Sequence, residues 1–411
     1  MSRTLTRLEL TGIAAGGDAV GRTDGMVVFV PRAAPGDVAM VSLTASRRFA
    51  RGRLESLESP SVDRVDPPCP HYKKDRCGGC QIQHLSYEAQ LRAKSTIIVD
   101  ALRRIGRRNV TAVDVEPSDA QWRYRRKLTL HVRRVGATWI AGLHPYDDPV
   151  FVFDLVDCPI TDEHVMAVWA ELRKAFQHLP DEGALRVAVR LLTGGAAVVV
   201  EGAGAWPYAD RFFAAVPSML ELWWKPEHGR MRRLAARAEQ SQGGASFVQV
   251  NATVAARLER HVLDRIRAFA PRRVIDAYAG SGGVTLALAG EGAVVTAIEL
   301  DAEAVGRFAD RLAPPSRALI GRVEDHLADA LPADVVLLNP PRSGVDAHVT
   351  ELLQQTATPP RGIVYVSCDP ATLARDLARM PRYRLAGVRA YDMFPQTAHV
   401  ETVCELVLDP T

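Results

Sequence analysis

From Arg7 to Ala14 apolar and polar residues alternate, the period of a half-buried strand. A turn at Gly16-Gly17-Asp18 precedes a strand over Met26–Val30. Pro35-Gly36-Asp37 turns the chain again, and strands over Val38–Leu43 and Phe49–Leu57 follow. Short strands punctuated by Gly, Pro and Asp predict a small, closed or nearly closed barrel of the OB type. Beyond the linker prolines Pro60, Pro67, Pro68 and Pro70 the period lengthens. Leu91, Ile98 and Leu102 recur at helical spacing behind Ser86 as cap and Glu88 in the first turn, predicting a helix over Leu85–Arg104. Asp162–Phe176 reads as a helix, and Leu185–Leu192 with Ala196–Glu201 as a hairpin through Gly194-Gly195; Trp223 and Trp224 suit core or surface equally. After residue 246 strands and helices alternate. The strands are Val274–Ala277, Val294–Glu299, Ala318–Ile320, Val335–Leu338, Ile363–Val366, Leu385–Tyr391 and Val400–Leu408, with helices after the first five. That alternation predicts an α/β domain with a mostly parallel, doubly wound sheet. The chain thus divides into a barrel (1–60), a central domain (61–245) and an α/β domain (246–411), with the 85–108 helix in a position to pack on the last.

Composition changes this picture little. The 411 residues are 47 % hydrophobic and 24 % charged, ordinary for a chain that buries large cores. No apolar run approaches the ~20 residues of a membrane span, and the first residues lack an apolar leader. A cytoplasmic, reducing location is expected, where six cysteines argue for metal or catalysis before disulfides. The net charge of +3 is too small to name a partner, but its distribution is uneven. Residues 101–135 carry ten Lys/Arg against three Asp/Glu, with Trp122 and Tyr124 interleaved, a pattern suited to phosphate contacts and base stacking. Arg47, Arg48, Arg51 and Arg53 crowd one barrel hairpin, as nucleic-acid-binding barrels do.

The cysteines fall in two groups. Cys77-Gly78-Gly79-Cys80 lets two thiolates reach one centre, Cys69 offers a third, and Cys158 in Asp157-Cys158-Pro159 a distant fourth. Four thiolates suit tetrahedral zinc or a cubane iron–sulfur cluster, and spacing does not separate the two. Cys368 stands apart, in Ser367-Cys368-Asp369-Pro370 at the end of the fifth α/β strand. Strand ends are where open α/β sheets place their chemistry. Cys404, in mid-strand, reads as packing.

The first α/β strand runs into Asp276-Ala277-Tyr278-Ala279-Gly280-Ser281-Gly282-Gly283, and the second ends in Glu299, 23 residues after Asp276. A glycine-rich turn with such an acid suits a ribose diol, while the incomplete G-x-G-x-x-G pattern argues against a dinucleotide. An adenosyl group without phosphate, S-adenosylmethionine, fits better. Asn339-Pro340-Pro341 ends the fourth strand, pointing Asn339 at the cofactor–substrate junction, and Glu401 opens the last strand. A thiolate, a sulfonium methyl and a carboxylate at one crevice suit methylation of uracil C5: Cys368 adds to C6, C5 takes the methyl, and Glu401 removes the C5 proton. His399 is the competing base.

With these residues in hand, the sequence resembles the RNA 5-methyluridine (uracil-C5) methyltransferase family over nearly its whole length. The resemblance implies a Rossmann-like S-adenosylmethionine-dependent methyltransferase domain, an N-terminal OB-type barrel of the TRAM kind that binds RNA, and a central α+β iron–sulfur domain. It implies that Cys69, Cys77, Cys80 and Cys158, in C-G-G-C-x-x-Q-H and C-P-I settings, ligate a 4Fe–4S cluster. Trp122–Lys127 is similar to the family's central W-x-Y-R-R run. Phe247-Val248-Gln249-Val250-Asn251 resembles its F-x-Q-x-N, giving Gln249 a cofactor contact. Tyr278 takes an aromatic position in the cofactor turn, Glu299 the ribose acid, and Cys368 and Glu401 the catalytic pair. Ala279, Gly283 and Asn339 depart from commoner choices; Asn339 lacks the charge of the more frequent Asp. Barrel plus cluster resembles the branch acting on 23S ribosomal RNA more than the transfer RNA branch, which is kept as the alternative, and a monomer is the expected state. Two other readings compete. An amino-N methyltransferase would explain Asn339-Pro340-Pro341 but leaves Cys368 and Glu401 idle, and a non-catalytic RNA-binding or folding factor would make Cys368 dispensable. A cytosine-C5 enzyme would carry its cysteine beside the prolines, where none stands.

Overall fold

The computed structural model describes residues 5–46, 48–180, 183–237 and 249–409. Arg47 of the basic hairpin, and Phe247 and Val248 ahead of Gln249, lie outside the described residues. No helix among those described is long and apolar enough to cross a membrane.

The strands Leu5–Ile13, Ala19–Thr23, Met26–Val30, Val38–Ala45 and Phe49–Ser59 close into a barrel. The alternation read in the sequence puts Leu8, Leu10, Val28, Val30 and Val41 inside it. Ala19–Thr23 escaped the sequence reading because Gly21 sits at its centre. A side chain there would press on the Glu9 carbonyl at 2.7 Å, so close strand approach selects a residue that weakens the strand signal. The barrel is fastened at its far end. Buried Asp37 accepts the Ala34 and Ser61 backbone N–H groups at 2.6 and 2.9 Å and the Arg64 guanidinium at 2.8 and 2.7 Å.

The chain forms two compact units, one of residues 1–65, 84–119 and 253–411 and the other of 66–83 and 120–252. These units cut across the expected boundaries at 61 and 245, because segment 84–119 is built into the α/β unit. Its helix, Tyr87–Arg104, is capped by Ser86 and buries Ile98 and Leu102 in one core with Leu373, Leu377 and Tyr383. Its short strand Val115–Glu116 pairs in parallel with Tyr383–Tyr391.

The first unit's sheet has eight strands in the order Arg317–Ile320, Val294–Glu299, Arg273–Ala277, Val335–Leu338, Gly362–Ser367, Glu401–Leu408, Tyr383–Tyr391, Val115–Glu116. The first five are parallel, and Glu401–Leu408 joins antiparallel to its two neighbours. The central parallel strands Val335–Leu338 and Gly362–Ser367 are buried on both faces, hence their unbroken apolar runs. Strand order reverses between Arg273–Ala277 and Val335–Leu338, which opens a crevice at their carboxyl ends. The second unit has a seven-stranded sheet in the order Arg232–Ala236, Met219–Lys225, Gly195–Glu201, Ala184–Leu192, Lys127–Val135, Thr138–Leu143, Phe153–Asp154. The helix Glu163–Ala175 covers it through Val165, Trp169 and Leu172. Trp223 and Trp224 are both buried, which settles them as core.

Candidate functional site

The strand Gly362–Ser367 is buried along its whole length and stops at Cys368, which is half-buried. Asp369 then caps the helix Pro370–Ala378, its carboxylate accepting the Ala371 and Thr372 N–H groups at 2.9 and 2.8 Å. Ser367 Oγ accepts the Asp369 N–H at 3.2 Å and tightens the same turn. The thiol is therefore carried on a rigid corner between strand and helix. Ser367 pairs with Thr402 on the neighbouring antiparallel strand. One residue beyond that pair, in each direction along the chain, stand Cys368 and Glu401, near enough for the Glu401 charge to act on the thiol.

The electrostatics tie these two residues to a third. Burial pushes the Cys368 thiol above its ordinary range, the Glu401 charge adds to that, and a charge and hydrogen bond from Arg342 pull the other way. Burial likewise raises the Glu401 carboxyl to about 7, against the pull of Arg342. One arginine thus acts on both groups, and the Glu401 charge disfavours the Cys368 thiolate. Arg342, the residue after Asn339-Pro340-Pro341, is given no role by the sequence reading. The signal that identifies it is the proline pair before it, which fixes where its backbone leaves the strand.

At the neighbouring strand ends, buried Asp276 accepts the Thr285 hydroxyl at 2.6 Å, and burial lifts its carboxyl to about 6. The turn after it passes through three positive-φ residues, Tyr278 (φ 68°), Gly280 (56°) and Gly282 (77°). A Cβ at Gly282 would collide with the Phe308 ring, so glycine is required there on two counts. Glu299 accepts the Gly280 and Asp301 N–H groups, both at 2.8 Å. Its carboxylate therefore braces the glycine turn, at the place where a ribose is expected. Half-buried Tyr278 and exposed Asn339 flank the crevice; the Asn339 N–H donates to the Ala277 carbonyl at 3.3 Å. Asp276, Tyr278, Glu299 and Asn339 thus stand at adjacent strand ends of one unit, and this donor set suits an adenosyl group. Gln249 belongs to the other unit, where Arg126 N–H donates to the carbonyl of the next residue, Val250, at 2.9 Å.

In the second unit, Cys69, Cys80 and half-buried Cys158 share a small pocket with Tyr72, Tyr124 and Ile160, and Cys77 is buried as well. None of the four forms a disulfide. Burial pushes Cys80 up strongly, the charges of Cys158, Cys77 and Cys69 add to it, and a Gln83 hydrogen bond opposes them. Cysteines gathered in this way could ionise together only beside a cationic partner. The donor chemistry therefore fits a thiolate-held metal group. Among the described residues, however, no group of three or more His, Cys, Asp or Glu is placed so as to hold a metal ion.

The basic run around Trp122 is only partly exposed. Tyr124 is buried and Trp122 packs against the cysteine pocket, so Tyr124 has no face to offer a base. Arg123 makes a two-pronged bond to Asp157, 2.8 Å on each arm, and donates to the Cys158 and Thr161 carbonyls at 3.2 Å. It braces the loop that carries Cys158. Arg108 donates to the Leu377 and Met380 carbonyls at 2.9 and 3.0 Å. Arg103, Arg104, Arg107 and Arg126, with Arg48, Arg51 and Arg53 on the barrel, stay exposed.

Comparison with known proteins bears on this site. The model of the tRNA (uracil-5-)-methyltransferase family matches residues 316–408, the segment carrying Arg342, Cys368 and Glu401. A protein of Protochlamydia amoebophila named as an uncharacterized RNA methyltransferase is 31% identical over 428 residues, covering 97% of this chain and 96% of its own. A protein of Gloeobacter violaceus with the same description is 34% identical over 450 residues, covering 97% and 95%. Among solved structures, the tRNA (uracil-54, C5)-methyltransferase of Pyrococcus abyssi, in complex with S-adenosyl-L-homocysteine, shares the fold with a TM-score of 0.72 at 24% identity, over 98% of this chain and 99% of that one.

Proposed function

This chain belongs to the RNA uracil-5 methyltransferase family and is an S-adenosylmethionine-dependent RNA methyltransferase, and from that premise we propose that it forms 5-methyluridine in 23S ribosomal RNA through Cys368 and Glu401. The observation that carries the reading is a half-buried thiol beside a buried carboxyl at adjacent strand ends, with Arg342 acting on both. Arg342 favours the thiolate, whose sulfur bonds to C6 of the uracil. The ring electrons this releases sit on C5. S-adenosylmethionine would supply an electrophilic methyl carbon, and C5 bonds to it as the methyl–sulfur bond breaks and its electron pair returns to the sulfonium, leaving S-adenosylhomocysteine. Glu401 then takes the C5 proton, the C–H electron pair restores the C5–C6 double bond, and the sulfur–C6 bond breaks to return the thiolate. A carboxyl lifted to about 7 is a stronger base than an ordinary glutamate and still ionises near neutrality.

Tyr278, Glu299 and Asn339, with Gln249, are proposed to hold the cofactor. Cys69, Cys77, Cys80 and Cys158 are proposed to hold a 4Fe–4S cluster that braces the second unit, and the barrel to act as a TRAM-type RNA-binding domain. The protein is proposed to act as a cytoplasmic monomer. The ribosomal assignment is supported by the barrel together with the four-cysteine set; the transfer RNA reading is favoured by the names of the matching family and of the Pyrococcus abyssi enzyme. Methyl-labelled S-adenosylmethionine offered with unmodified 23S RNA and with unmodified tRNA separates them. Label at uridine C5 of 23S RNA is the expected result. Label only on tRNA overturns the ribosomal assignment; RNA binding without label, unaffected by Cys368→Ala, would make the protein a binding factor.

A further inference from the structure

Glu401 opens the strand Glu401–Leu408 opposite Tyr391, so the loop between these two residues runs directly into it and helps to set where its carboxylate lies. That loop, from Asp392 to His399, is unusual in being polar and buried: Asp392, Gln396 and Thr397 are 0 to 2 % exposed. Two side chains from the helix Tyr87–Arg104 reach into it. Gln90 Nε2 donates to Gln396 Oε1 at 2.9 Å and to the Leu85 carbonyl at 3.0 Å. Gln90 Oε1 accepts the Gln396 backbone N–H at 2.9 Å. One helical turn on, and hence on the same face, Lys94 ion-pairs with Asp392 where both are fully buried, and donates to the Phe394 carbonyl at 3.0 Å. Gln396 itself sits at φ 72°, a conformation that a side chain rarely adopts and that persists only where its surroundings impose it. Here the reciprocal amide pair with Gln90 imposes it.

A buried ion pair and a buried amide pair are not economical ways to fill space, since apolar residues of similar volume are as stabilising or more so. What they add is a defined position. We propose that Gln90 and Lys94 are positioning residues of the methyl-transfer reaction, holding the 392–397 loop so that Glu401 reaches the C5 proton of the Cys368 adduct. This rests on the reading of Glu401 as the base. The balance of the step is unchanged: the proton passes from C5 to the carboxylate as the sulfur–C6 bond breaks. The clamp touches neither reactant and acts only on where the carboxylate lies. It follows that loosening it slows release of the adduct more than its formation.

The test uses full-length wild type, Gln90→Met, Gln396→Gly and Glu401→Gln with unmodified 23S RNA and S-adenosylmethionine. Covalent RNA–protein adduct is measured on denaturing gels, and kcat and KM for RNA in steady state. Gln90→Met keeps the volume and drops the amide. Gln396→Gly tolerates the left-handed backbone and drops the side-chain half of the pair, so it is read in the same way if Gln90→Met does not fold. The expected result is adduct accumulating in Glu401→Gln and, to a lesser extent, in the clamp variants, with kcat down roughly 10- to 100-fold and KM within about twofold. A merely structural role would lower the active fraction without adduct. Clamp variants with wild-type kcat, or slowed without adduct while Glu401→Gln accumulates it, overturn the positioning role alone. Normal turnover in Glu401→Gln overturns the base assignment and the positioning role with it.

Discussion

Cys368 and Cys80 are the same residue in two surroundings, and burial pushes both thiols up. They differ in what lies beside them. Cys368 is half-exposed at a strand end, with the Arg342 guanidinium on its sulfur and one carboxyl that ionises reluctantly. Cys80 is buried among three further cysteines, each of which makes its charge less favourable. An exposed arginine stabilises an anion that comes and goes. A pocket of four thiols is stable in anionic form only around a lasting positive centre. Thiol burial alone therefore separates nothing. The partner decides whether a cysteine reacts or ligates.

The comparison breaks first at Cys368. Cys368→Ala is expected to lower methylation by on the order of 10⁴-fold or more, with the melting temperature within a few degrees of wild type. Calorimetry and a labelled-methyl assay check both halves. Cys80→Ala should do the reverse. We expect loss of visible colour and of roughly four iron per chain, with the second unit destabilised and its protease resistance lost. A colourless wild type carrying one zinc would reject the cluster and keep the thiolate-centre argument. Arg342→Met removes the group acting on both acids. It is expected to lower kcat by about 10²-fold and to shift the pH of Cys368 alkylation upward; an unchanged alkylation profile would show that the arginine does not stabilise the thiolate. Lys94→Met removes the ion-pair partner of the fully buried Asp392, for an expected cost of about 3–5 kcal/mol in denaturant unfolding.

The smallest effect is one of pH. Burial raises Glu401 from an ordinary 4.5 to about 7, so its contribution to stability is intact below about 4.5 and is lost as pH rises through 7. Glu401→Gln does not titrate. Its melting temperature relative to wild type should therefore rise between pH 5 and pH 8, and a constant difference would mean that the carboxyl is not held in its neutral form. The proton-removal step should show the opposite trend, speeding up through pH 7 as the carboxylate forms.

Much of this was legible in the sequence because it is local. The α/β strands fall where unbroken apolar runs end in polar turns, and Ser86 and Asp162 cap the helices they precede. Cys368 and Glu401 sit where a strand ends and the next begins. What escaped was set by partners distant in the chain. Ala19–Thr23 was hidden by a glycine that inter-strand approach demands. Tyr124 and Arg123 resembled a stacking, phosphate-binding run, but contacts with the cysteine pocket and with Asp157 claim them. The placement of segment 84–119 in the α/β unit, and of Gln90 against Gln396, 306 positions away, depends on packing that no local pattern records.

The central claim is that Cys368 forms and Glu401 resolves a covalent bond to C6 of a uridine. Its most direct test is mass spectrometry of Glu401→Gln after reaction with unmodified RNA and S-adenosylmethionine, followed by nuclease and protease digestion. The account predicts a Cys368 peptide carrying a C5-methylated uridine, absent from the same digest of Cys368→Ala. A nucleotide attached at another residue, or Glu401→Gln that releases methylated RNA at the wild-type rate with no adduct, would contradict it.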